Sequence, residues 1–104
     1  MKKITILLTA IYLAIPLTAN AGGNVEAGAK KSETCKACHG EGGAKPIQPD
    51  YPVLAGQHSD YIVAALTQYK AGKRKNASMN GFAAALTQDA IRDLAACFSS
   101  QRSD

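Results

Sequence analysis

Tryptophan is absent and large aromatics are scarce: beyond Tyr12 near the N-terminus there are only Tyr51, Tyr61, Tyr69, Phe82 and Phe98 in 104 residues. In a small domain so sparse an interior supplies only about 3 to 5 kcal/mol of net stability, so a disulfide, metal or cofactor staple is expected. Soft and imidazole ligands are also few: beyond Met1 at the N-terminus they are Cys35, Cys38, Cys97, His39, His58 and Met79. No apolar run reaches the roughly 20 residues that span a bilayer. No stretch reads convincingly as a strand, and no internal repeat or low-complexity segment interrupts the chain. A marked excess of charge is missing too. Setting aside Lys2 and Lys3 leaves ten basic and eight acidic side chains, a bias of +2 that is too small to point to nucleic acid.

What is present begins with a leader. Lys2 and Lys3 precede an apolar run from Ile4 to Leu17, followed by the small-residue pattern Ala19-Asn20-Ala21. This is the form of a secretory signal peptide over residues 1–21, cut after Ala21, and Pro16 interrupts the run near the cut. The expected mature unit, residues 22–104, has 83 residues, enough for one domain and not two.

Within that unit the pattern is three helices and two loops. Asn24 can cap a helix from Val25 to about Ala37, with Glu26 in its first turn. Gly28, interior to that helix, suggests close approach by another element, since glycine there costs about 1 kcal/mol against alanine. Residues 40–57 hold four of the nine glycines and three of the four prolines, which makes a long structured loop of the kind usually kept for function. A second helix starts at Ser59 or Asp60, carries Ile62, Leu66 and Tyr69 at helical spacing, and ends at Ala71-Gly72. The irregular stretch GKRKNASMNG follows, and Thr87 then caps a last helix with Ile91, Leu94, Ala95 and Phe98 on one stripe. The cations Lys70, Lys73, Arg74 and Lys75 read as a solvated helix end in preference to a docking patch.

The chemistry concentrates in TCKACHG, residues 34–40. A redox dithiol of the thioredoxin kind should follow a strand and open a helix, and no strand precedes Cys35. A structural zinc site needs four ligands, whereas His58 and Cys97 stand alone and far apart. Covalent haem attachment uses all three residues. Cysteines at i and i+3 lie one turn apart on a helical face, where both sulfurs can form thioethers to the two vinyl groups on one porphyrin edge, and His39 is carried under the iron. Export agrees with this, since such attachment takes place outside the bacterial cytoplasm or in organelles.

The stretches AGAKKSETCKACHG, PDYPVLAGQHSDYIVAALTQYKAGKRKNASM and LTQDAIRDLAACFSSQ cover nearly all of the mature chain, and in motif and order it resembles a class I cytochrome c, most similar to single-domain relatives of the cytochrome c4 and c-553 group. The resemblance implies an all-α fold, three main helices wrapped around one covalent haem c per chain. It implies His39 and Met79 as axial ligands, with His58 a weaker rival to Met79, and a backbone carbonyl at Pro49 that accepts the free ring N–H of His39. Where the family often has an aromatic near the end of the last helix this chain has Cys97, so either Phe98 or Cys97 must fill the space over Gly28. A buried Cys97 is favoured over an intermolecular bridge. The function implied is that of a periplasmic one-electron carrier, not an enzyme. Its partners would be redox proteins, a membrane reductase complex and a terminal oxidase or reductase. The same reading allows at most weak association with a membrane surface, no small-molecule substrate, and a monomer in preference to a Cys97-linked dimer. Two rival functions are a haem-bearing relay subunit of a larger dehydrogenase and a gas-binding haem sensor.

Overall fold

Five α-helices and one short 3-10 turn make up the regular structure of the computed structural model, which describes residues 2–7, 9–10 and 22–102. They are α1 Val25–Lys31, α2 Glu33–His39, α3 Ser59–Lys70, α4 Ala77–Ala84 and α5 Gln88–Ser99, with the 3-10 turn Glu41–Gly43 after α2. Among the described residues there is no strand, and no helix is long and apolar enough to cross a membrane. The expected cut after Ala21 and the end of the leader's apolar run, with Leu17 and Pro16, lie outside the described residues.

The all-α expectation holds, and the helix count rises from three to five for two local reasons. The first helix is broken at Ser32, which is buried and turns its hydroxyl back to donate to the Ala29 carbonyl at 2.7 Å. A serine bonded to its own backbone in this way competes with helix propagation, and the chain restarts as α2 and runs on to His39. The second addition is α4, in the stretch read as irregular. Asn76 caps it by accepting from the Met79 N–H at 3.0 Å. The expected caps of the outer helices are formed as well: Asn24 accepts from the Ala27 N–H at 2.9 Å, and Thr87 from the Ala90 N–H at 3.1 Å.

α5 is the hub. Its stripe of Ile91, Leu94, Ala95 and Phe98 is buried, and the central cluster joins Leu94, Ala95 and Phe98 to Ile62 of α3. Val63, Leu54, Leu66, Leu86 and Cys35 pack around it half-exposed. α1 crosses α5 at Gly28, where a Cβ would collide with the Asp93 carbonyl and sit 2.7 Å from the Cys97 Cβ. Cys97, 3 % exposed, therefore fills the space over Gly28, while Phe98 turns inward to the central cluster. Burial pushes the Cys97 thiol pKa up.

The crossing is pinned by Asp93, which accepts from the Asn24 N–H at 2.8 Å and from the Lys31 ammonium at 2.5 Å. The Lys31 contact first, then the Asn24 N–H, holds the Asp93 carboxyl below its ordinary range. A depressed carboxyl pKa adds stability that is present above the ordinary carboxylate range and is lost as pH falls through the folded-state value. Asp93→Asn should therefore melt below the parent protein at neutral pH, and the gap should close as the solution is acidified below that range. Thermal melts across the acid limb test this, and a gap independent of pH contradicts it.

α4 rests on α3 largely through polar ties, with Ala83 its only buried residue. The Lys70 ammonium donates to the carbonyls of Ala84 and Leu86 at 3.1 and 2.6 Å, closing the far end of α4. Arg74 lies 5.0 Å over the Tyr69 ring. Two of the four clustered cations are thus engaged within the fold.

Candidate functional site

Cys35 and Cys38 stand one turn apart on α2, both half-exposed, and His39 closes the helix with 7 % exposure. Lys36 between them bridges Glu33 at 2.9 Å and Glu41 at 3.2 Å, which ties α2 to the turn that follows. Gly40, at φ +83, lets the chain reverse, and the Ile47 N–H returns to donate to the Cys38 carbonyl at 3.0 Å. A turn closed by the Tyr51 N–H donating to the Gln48 carbonyl at 3.1 Å then places Pro49 at its second position, where the fixed φ of proline suits it. Beyond it the N–H groups of Leu54 and Ala55 both donate to the Gly43 carbonyl, at 2.9 and 3.2 Å. Gly43 admits this only without a side chain, because a Cβ there would lie 2.8 Å from the Leu54 Cβ.

That return brings a carbonyl against His39, and it belongs to Pro52, not to Pro49 as the sequence reading expected. His39 Nδ1 lies 2.9 Å from the Pro52 oxygen, and Pro49 is spent in the turn before it. Because a carbonyl only accepts, Nδ1 carries the proton and the Nε2 lone pair is left for a metal. The Tyr51 ring, tilted at 44° with centroids 6.2 Å apart, flanks the imidazole.

Cys35 lacks the character of a redox-active thiol. Burial, with smaller contributions from Cys38 and Cys97, pushes the Cys35 pKa up against a lowering hydrogen bond to Thr34. Redox-active cysteines need the opposite shift. Cys35, Cys38 and Cys97 are all free, and among the described residues no three of His, Cys, Asp and Glu gather as a metal cluster. A closed zinc site has no third and fourth ligand here.

Met79 lies in the first turn of α4, half-buried, with its N–H on Asn76. His58 is exposed at the head of α3 and makes no capping bond with its side chain. The structure thus joins Cys35, Cys38, His39 and Pro52 in one hydrogen-bonded unit, and mounts Met79 separately on a helix held by α3. Pro52 is the residue that sequence reasoning missed. The available signal was Pro49 at the second position of the turn closed by the Gln48 carbonyl, which places it three residues before the carbonyl that meets His39.

This donor set fits a covalently attached haem. Two thiols at i and i+3 can take the vinyl edge, a fixed imidazole offers Nε2, and a thioether is available on another element. Leu54, Leu66 and Leu86, half-exposed beside the core, offer apolar surface for a porphyrin face.

Comparison with known proteins points the same way. A family model for cytochrome c matches residues 25–96. Cytochrome c4 of Pseudomonas aeruginosa is 39 % identical over 98 residues, which is 92 % of this chain and 48 % of that protein. Cytochrome c-554(548) of Halomonas halodenitrificans is 40 % identical over 82 residues, 76 % of this chain and 98 % of that protein. Among solved structures, reduced recombinant cytochrome c4 from Pseudomonas stutzeri superposes with a TM-score of 0.71 at 37 % identity, covering 77 % of this chain and 46 % of that one. The chain therefore spans about half the length of its cytochrome c4 relatives.

Proposed function

The chain belongs to the cytochrome c family, and from that premise we propose that it is a periplasmic one-electron carrier whose single haem c is held by Cys35 and Cys38 and ligated by His39 and Met79. When bound, the haem supplies the one-electron iron couple, and the residues supply attachment, orientation and potential. Cys35 and Cys38 would hold the porphyrin edge through thioethers. His39 is kept in one orientation and one tautomer by donating Nδ1–H to Pro52, a bond that raises the basicity of Nε2. The Met79 thioether, a soft donor, favours the ferrous state and raises the potential relative to a second imidazole. With His39 and Met79 both given to the iron, a bound haem would have no site left for substrate, and the chemistry it would supply is outer-sphere electron transfer beside Cys35 and Cys38. Residues 1–21 provide export as a cleaved leader, and residues 22–104 are one mono-haem domain whose partners are redox proteins of the respiratory chain.

The observation that carries this reading is the 2.9 Å bond from His39 to Pro52 beside two thiols one helical turn apart. It is tested on protein expressed with its leader in a host that matures c-type cytochromes. Acid-acetone should leave the haem on the chain, the pyridine haemochrome should be of c type, and the product should fractionate with the periplasm. Extractable haem, or one equivalent of zinc without haem, would overturn it.

A further inference from the structure

The helix that carries Met79 has an unusual mounting. With only Ala83 buried, α4 lacks an apolar face strong enough to fix its first turn, and Phe82 is 52 % exposed. Asn80 supplies what packing does not. Its side-chain Nδ2 donates to the carbonyls of Tyr69 and Arg74, each at 2.8 Å, and its Oδ1 accepts from the Asn76 N–H at 3.0 Å. Asn76 in turn accepts from the Met79 N–H at 3.0 Å. One half-buried amide therefore ties the end of α3, the loop that follows and the cap of α4 into a closed ring of hydrogen bonds, next in the chain to Met79. Only a side chain with two donors and an acceptor on one short stem can do this, which an aspartate or a leucine cannot.

We propose that Asn80 is the positioning residue for Met79: its three hydrogen bonds hold the first turn of α4 against α3 and thereby set how readily the thioether leaves the iron. This rests on the assignment of Met79 as axial ligand, and it adds the residue that governs the strength of that ligand. A haem whose sixth ligand is off for a larger fraction of the time binds an added ligand more tightly in proportion to that fraction.

The test uses holoprotein and carbon monoxide as probe of the ferrous state. Asn80→Ala should raise apparent affinity for carbon monoxide by about tenfold, the order expected from losing two or three hydrogen bonds. It should also lower the potential and make the weak long-wavelength ferric band of thioether ligation fade at a lower temperature. Met79→Ala should raise the affinity further, and Asn80→Ala added to Met79→Ala should bring no additional gain, because no thioether remains to be positioned. If Asn80→Ala does not yield holoprotein, Asn80→Asp, which keeps the acceptor and loses both donated bonds, carries the same expectation. Unchanged affinity in the Asn80 variants while Met79→Ala raises it would overturn the positioning role alone. The same tenfold gain with and without Met79 would also overturn it, since Asn80 would then act on the haem pocket directly. If Met79→Ala leaves affinity and spectrum as they were, the ligand assignment fails, and the positioning role falls with it.

Discussion

Cys35→Ala combined with Cys38→Ala should leave a largely unfolded, protease-sensitive chain. Among the described residues the buried apolar set consists of Ala55, Ile62, Ala83, Ala90, Ile91, Leu94, Ala95, Cys97 and Phe98. Four of these nine are alanines and only Phe98 is aromatic, so side-chain burial falls well short of what a domain of this size needs to offset its chain entropy. A group bound covalently to the native state, and lost with the two thiols, supplies the remainder. Far-UV circular dichroism and limited proteolysis check this. A cooperative transition of the double variant within a few degrees of the holoprotein would contradict it.

Met79→His should lower the reduction potential by on the order of 0.2 V, given that axial ligand identity spans about 0.8 V across haem proteins. At about 59 mV per tenfold change for one electron, that is roughly 5 kcal/mol of altered preference between the oxidation states. The long-wavelength ferric band of thioether ligation should vanish with it. His58→Ala, at an exposed position at the head of α3, should change neither. A strong shift on His58→Ala with none on Met79→Ala would instead require a bis-imidazole iron.

Much of this architecture is legible in the amino acids because it depends on local chemistry. Asn24 and Thr87 mark helix starts through side-chain oxygens that act within three residues, and the α5 stripe follows helical periodicity. Cys35, Cys38 and His39 sit on one helix and need no tertiary information to be read together. The features that escaped depend on distant parts of the chain or run against propensity. Asn80 and Gly81 are poor helix formers inside α4, and the bonds that hold the helix come from Lys70, Tyr69 and Arg74 of the preceding segment. The break at Ser32 turns on which way one hydroxyl points. The choice between Pro49 and Pro52 is made where the loop closes on Gly43, a residue held at φ +71 with Phe98 beside it.

The meeting of α1 with α5 also constrains when folding can begin. Asn24 and Asp93 are bonded across 69 positions, so the crossing closes nearly all of the helical domain into one loop. Closing a loop of that length costs roughly 4 kcal/mol beyond the constant term, with no return until the ends touch. A nascent chain that has not yet released α5 has nothing for Gly28 to pack against. Cys35 and Cys38, some fifty residues ahead of α5, therefore emerge on an open chain, accessible to chemical modification before α5 arrives to bury the surface beside them.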